Sequence, residues 1–161
     1  MKKKKTFHIH FVCSGNAYRS RMAETYLVSK QIPKITVSSS GLEADKHRAA
    51  NGPICWYALH VLQKYQLLPY LPKPTSTQTR TQDLKAADLV IFMKDGHYQA
   101  ALEKHRFAGL YEIWDIPDIN DFGIELNTPS WIPAKIIPIA EETFDKIKAK
   151  VDILVKKKLK K

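Results

Sequence analysis

The 161-residue chain has only two cysteines, Cys13 and Cys55. Two thiols are too few for the disulfide framework of a small secreted domain, so a reducing, cytoplasmic setting is expected. No stretch approaches 18 consecutive apolar residues, and no membrane span is expected. Met1 to Lys5 has the charge of a secretory leader, but His8 and His10 break the apolar run that follows, and no small-residue cleavage site succeeds it. The six histidines show neither H-x3-H nor H-E-x-x-H spacing and the cysteines show no C-x-x-C, so no metal and no other cofactor is expected. Repeats and linker-like composition breaks are also missing. The chain therefore reads as a single domain over residues 1–161, with lysine-rich tails at 1–5 and 156–161.

Negative charge is in short supply. There are 16 acidic against 26 basic residues, a net charge of +10. Nine of the lysines lie in the tails (Lys2 to Lys5, Lys156 to Lys158, Lys160 and Lys161), and without them the body carries +1. The excess is thus terminal and not gathered into a groove. These tails read as solvated ends, with weak, salt-dependent attraction to anionic lipid or nucleic acid as the alternative; no aromatic residues are interleaved with them, which argues against single-strand recognition.

What is present is an α/β pattern. Residues 7–12, Phe-His-Ile-His-Phe-Val, alternate and predict a strand. Residues 20–30 predict a helix, 35–39 a second strand, and the polar stretch 41–51 a rim loop whose His47 and Arg48 are candidate ligand contacts. Asn51 as cap and Pro53 in the first turn predict the start of a helix carrying Cys55 and Trp56 as packing residues. Residues 71–82, rich in Pro, Thr and Gln, read as a crossover loop. A continuous apolar run at 88–93 predicts a strand buried on both faces. A short helix from Asp95 and a fourth strand at 110–114 follow, then a loop over 115–133. Ile136, Ile139, Ala140, Phe144, Ile147, Val151 and Leu154 recur at three- and four-residue spacing, predicting a long amphipathic C-terminal helix. Strands alternating with helices imply a parallel sheet, with ligands beyond the strand C-termini.

One motif sits at that edge. Cys13-Ser14-Gly15-Asn16-Ala17-Tyr18-Arg19-Ser20 joins the first strand to the first helix. A cysteine and an arginine five residues apart can close a loop around one tetrahedral oxyanion, with the helix N-terminus adding N–H donors and positive potential. Helix N-termini and nearby cations favour thiolates, so Cys13 is the candidate nucleophile. Arg19 offers a planar fork for two phosphoryl oxygens. Gly15 is expected to supply positive φ, Asn16 to brace the loop, and Ser20 to donate to the sulfur. Ser14, Ala17 and Tyr18 complete the ligand cradle. Cleaving a phosphate ester also needs a proton donor. Asp115, Asp118 and Asp121 all follow the fourth strand.

These residues carry a resemblance. Val12 to Ser20 followed by Met22-Ala23-Glu24 resembles the low-molecular-weight protein tyrosine phosphatase signature V-C-x-G-N-x-C-R-S-P-M-A-E. Val37-Ser38-Ser39-Ser40-Gly41 resembles the family's V-x-S-A-G segment, residues 87–93 its third strand, and Ile116-Pro117-Asp118 the start of its V-P-D-P-Y acid loop. The resemblance implies a three-layer sandwich: a four-stranded parallel sheet, order 2-1-3-4, with helices on both faces. It implies hydrolysis of phosphotyrosine-type protein substrates through a cysteinyl-phosphate, with Asp118 as the acid, Phe122 in place of the rim tyrosines, and Ser39 and Thr77 as braces. Tyr18 stands where the family has a second cysteine, Arg21 where it has proline, and Lys94 where it has aspartate. The alternatives are a phosphoarginine phosphatase, an arsenate reductase of the same fold, and a binding module that holds phosphorylated ligands without turnover. Residues 71–100 contain no cysteine, which argues against the thioredoxin-linked reductase.

Overall fold

Alternation along β1 (Phe7–Cys13) sorts its side chains to two faces, as the pleat of a strand requires. Ile9 and Phe11 join one apolar cluster and Val12 a second one on the opposite face. β1 is therefore central. It pairs in parallel with β2 (Ile35–Gly41) on one side and β3 (Leu89–Phe92) on the other, and β3 pairs in parallel with β4 (Tyr111–Ile113). The order β2-β1-β3-β4 is the expected one. The computed structural model describes residues 5–124 and 132–159. Lys2 to Lys4, Lys160, Lys161 and the 125–131 part of the loop after β4 lie outside the described residues.

Helices α1 (Arg19–Ser29), α3 (Trp56–Lys64) and α6 (Pro133–Leu154) pack together on the Ile9–Phe11 face. α6 presents the predicted stripe, with Ile136, Ala140, Phe144, Ile147 and Val151 fully buried. The opposite face carries α4 (Thr81–Ala86) and α5 (Asp95–His105) through Leu84, Ala101 and the adjoining Phe107. Among the described residues no helix is long and apolar enough to cross a membrane.

Two expectations fail between β2 and α3. Residues 41–51 are not a loop: α2 spans Ala44–Asn51. The segment has good helix formers, Asp45 in its first turn and an Asp45–Arg48 pair at 2.8 Å one turn on. Asn51 ends this helix instead of starting the next one. Gly52, at φ 67°, turns the chain away, and α3 begins only at Trp56, with Cys55 as its cap.

The β1–β2 ladder has a polar face. His8 Nδ1 lies 2.7 Å from Thr36 Oγ1 and His8 Nε2 2.8 Å from Ser38 Oγ. His10 bridges Ser38 at 2.6 Å and Ser40 at 2.7 Å, and Ser40 meets Thr79 at 2.6 Å. Burial pushes His10 down to about 4 and lowers His8 as well. The His10 ring is thus neutral in the folded chain below the pH at which unfolded histidines charge. Its contribution is complete above about pH 6.5 and is lost as pH falls toward 4, and His8 acts in the same direction. At 1.36 kcal/mol per unit, His10 accounts for roughly 3 kcal/mol across that window. The urea midpoint is expected to drop between pH 6.5 and 4.5, and His10→Gln to flatten much of that drop. An unchanged slope in the variant would refute the assignment.

Candidate active site

The chain leaves β1 at Cys13 and enters α1 at Arg19, so residues 13–18 form the loop at the C-terminal edge of the sheet. The left-handed residue of this loop is Asn16, at φ 52°, and not Gly15. Gly15 matters for space: a Cβ there would lie 3.2 Å from Asn51 Nδ2. Gly41 matters more. A Cβ on it would come within 2.5 Å of Ser14 O and 2.6 Å of Asn16 N, so the end of β2 must be bare for the loop to lie against it.

Asn16 is wholly buried and organises its neighbours. Its backbone N–H donates to Cys13 Sγ at 3.2 Å. Its Nδ2 donates to Ser20 Oγ at 2.8 Å and to Ser39 Oγ at 2.9 Å, and its Oδ1 accepts the Thr77 N–H at 2.9 Å. Because Ser20 Oγ accepts from Asn16, its own proton is free for Cys13 Sγ, 2.9 Å away. The sulfur therefore sits among donors, which suits an anion. Ser14 Oγ is held by His97 Nε2 at 2.9 Å. Burial, Arg19 and Lys94 push His97 down to about 3, so this imidazole is neutral.

Arg19 is 4% exposed. It donates to Ile116 O at 3.0 Å and to Asp118 Oδ2 at 3.1 Å. Asp118 lines the same cavity as Cys13, Ser14, Gly15, Ala17, Tyr18 and Arg19. Its other oxygen accepts the Ile119 N–H at 2.8 Å. The remaining two loop aspartates do not reach the cavity. Lys94 Nζ holds Asp115 at 3.3 Å and Asp121 at 3.5 Å, and Asp121 accepts the Asp118 N–H, which with Lys94 keeps its carboxyl below the usual range. Among the described residues, Lys94 thus leaves Asp118 as the one carboxylate lining the cavity.

Three placements differ from expectation. Phe122 does not line the cavity; it packs against the core with Lys146 Nζ 5.9 Å from its ring, while Ile119 and Asn120 form the wall. Arg48 turns away to Ser76, and His47 alone of that pair reaches the cavity. Cys55 is not remote on a helix. Its N–H donates to Ala17 O at 2.9 Å, and its side chain lines the cavity with Cys13. Burial pushes the Cys55 thiol up to about 12, so it is protonated at neutral pH and a poor nucleophile. Tyr18 packs edge-on against Tyr57 at 4.8 Å, and sequence reasoning missed Tyr57 as a wall residue. Among the described residues no three His, Cys, Asp or Glu side chains gather as a metal site.

A parallel sheet flanked by helices on both faces, with a cysteine and an arginine at the two ends of one strand–helix loop, defines the class of protein. The sequence profile described as low molecular weight phosphotyrosine protein phosphatase matches residues 8–161, and the chain belongs to that family. A Staphylococcus epidermidis protein named low molecular weight protein-tyrosine-phosphatase PtpB is 34% identical over 89 residues, covering 55% of this chain and 58% of that protein. The chain thus spans little more than half the length of this curated relative. A Geobacillus stearothermophilus protein named protein-arginine-phosphatase is 29% identical over 98 residues, covering 61% and 62%. The crystal structure of a low molecular weight protein tyrosine phosphatase from T. tengcongensis shares the fold with a TM-score of 0.71 at 24% identity, over 94% of this chain and 99% of that one.

Proposed function

We propose that this chain is a phosphomonoester hydrolase that dephosphorylates phosphotyrosine-type protein substrates through a cysteinyl-phosphate, as one cytoplasmic domain without metal or other cofactor. The observation that carries this is the convergence of Cys13 Sγ, the Arg19 fork and the Asp118 carboxyl on one cavity. A phosphoryl group seated on the N–H groups of residues 14–19 competes with Asp118 for the Arg19 guanidinium. Asp118 is then free to turn toward the leaving oxygen. The Cys13 thiolate attacks phosphorus, the P–O bond to the leaving group breaks, and protonated Asp118 gives that oxygen its proton. In the second step the Asp118 carboxylate takes a proton from water, the water oxygen attacks phosphorus, and the P–S bond breaks. The Ser20 hydroxyl, already directed at Sγ, stabilises the departing thiolate. Arg19 and the loop N–H groups hold the equatorial oxygens throughout, where negative charge is greatest.

Phosphoarginine is the second reading. It is supported by the name of the Geobacillus relative. Tyr57 and Tyr18 both line the cavity, which suits an aromatic substrate and keeps phosphotyrosine first. The test uses purified protein on p-nitrophenyl phosphate with and without EDTA, then phosphotyrosine and phosphoarginine peptides side by side. Chelator-insensitive hydrolysis with higher kcat/KM on phosphotyrosine is expected. A clear phosphoarginine preference reverses the substrate order. No turnover at all would leave a phospho-ligand binder.

A further inference from the structure

Beneath the oxyanion loop lies a buried charge cluster that the reaction steps above do not use. Arg21 is 0% exposed and among the largest fully buried side chains. Its Nη1 donates to Pro53 O at 3.3 Å and its Nη2 to Lys73 O, so one guanidinium ties the approach to Cys55 to the crossover segment. Lys73 Nζ in turn donates to Ser39 O at 2.6 Å and Thr77 Oγ1 at 2.8 Å. Glu24, 2% exposed, accepts the Ser39 hydroxyl proton and lies 3.9 Å from Arg21 Nε. Ser39 and Thr77 are the two residues beyond the loop that hold the Asn16 side chain. Donor directions therefore run unbroken: Asn16 to Ser39, Ser39 to Glu24, Asn16 to Ser20, and Ser20 to the sulfur.

The cluster is costly as mere scaffolding. An apolar residue at position 21 would avoid desolvating a guanidinium whose Nε finds no hydrogen-bond partner among the described residues. Two cations face one carboxylate, which leaves one net positive charge. Burial lowers Lys73 to about 8, still above neutrality, so the ammonium persists at pH 7. Lys73 reaches the loop through Ser39 and Thr77, which hold Asn16, and Arg21 through the Lys73 carbonyl, so an anion seated in the loop lies within reach of both charges.

We propose that Arg21 and Lys73 are positioning residues that fix Asn16 from below and supply the positive charge that lets the loop accept a phosphate dianion. This rests on the phosphatase reading of the site, so the test measures binding and not turnover. Inorganic phosphate is titrated calorimetrically into the full chain at pH 6.5 and low ionic strength. Lys73→Met is expected to weaken phosphate about tenfold, as loss of one unit charge at this range in a partly shielded interior allows. Lys73→Arg, which keeps charge and donors, is expected to restore affinity to within twofold. Arg21→Met should weaken phosphate at least as much as Lys73→Met. Variants with a wild-type thermal transition that bind phosphate as wild type does would overturn the proposal. Should Arg21→Met fail to fold, the Lys73 pair decides alone, and a loss that Lys73→Arg does not repair refutes the charge role. Wild-type protein that binds phosphate without hydrolysing esters refutes the hydrolase reading while this comparison still stands.

Discussion

Replacing Cys13 with serine is expected to abolish hydrolysis of p-nitrophenyl phosphate while leaving oxyanion binding in place. The hydroxyl would occupy the same floor of the loop, 2.9 Å from Ser20 and 3.2 Å from the Asn16 N–H in the thiol form. Those donors favour an anion, but a serine hydroxyl remains protonated at neutral pH, so the attacking electron pair is lost. The fall in kcat should be on the order of 10⁴-fold or more, as for removal of other covalent nucleophiles. Binding relies on the backbone and Arg19, which the change does not touch. Arg19→Ala should behave differently, with kcat and phosphate affinity falling together. On the proposed reading the guanidinium meets the oxyanion, and through Ile116 O and Asp118 it also anchors the loop after β4. Loss of one such preorganised donor costs roughly 10²–10³ in kcat, and lysine cannot reproduce the fork. Robust turnover by Cys13→Ser would move the nucleophile elsewhere.

The residues most legible in the sequence are contiguous. Cys13 to Ser20 are one strand end, a short loop and one helix start, so their mutual placement needs no tertiary information. The strands themselves were legible because alternating and continuous apolar runs mark them, whereas their order came only from the family resemblance, and the structure has that order. α2 was hidden because its eight residues, Ala44–Asn51, carry no apolar stripe; only Ala44 is buried. Arg21 was hidden because a charged side chain next to Arg19 reads as solvent-facing, and its partner carbonyls belong to residues 53 and 73. Lys73 lies in a Pro- and Thr-rich loop whose path no periodicity reveals. Phe122 failed for a local reason. In the short 3-10 turn Ile119–Phe122 the chain gives Ile119 and Asn120 to the cavity and turns the ring toward α6. His97 gave no signal either, since its contact with Ser14 depends on how α5 crosses the sheet edge.

Asp118→Asn should cost roughly 10²–10⁴ in kcat, the usual worth of a positioned proton donor, with no loss of phosphate binding, since it removes the anion that competes for Arg19. Asp115→Asn and Asp121→Asn should cost far less. The three aspartates share one loop, and what separates them is their partners. Asp115 and Asp121 are both taken by Lys94, outside the cavity. Asp118 faces the cavity and, among the described residues, is held by Arg19 and by the backbone turn it caps. On the proposed mechanism a phosphoryl group competes for Arg19, so ligand binding would free the Asp118 side chain to turn toward the leaving oxygen. The effect should therefore depend on the leaving group. A substrate whose leaving group is already stable as an anion needs no proton. For p-nitrophenyl phosphate the loss should sit near the lower bound, and for phosphotyrosine peptides near the upper one. Asp121→Asn offers a contrasting outcome, because Asp121 accepts the Asp118 N–H at 2.8 Å and so sets the angle of the loop. Its loss should be modest and equal on both substrates. If Asp118→Asn shows no leaving-group dependence while Asp121→Asn does, the proton comes from Asp121, and the Lys94 contact must break during turnover.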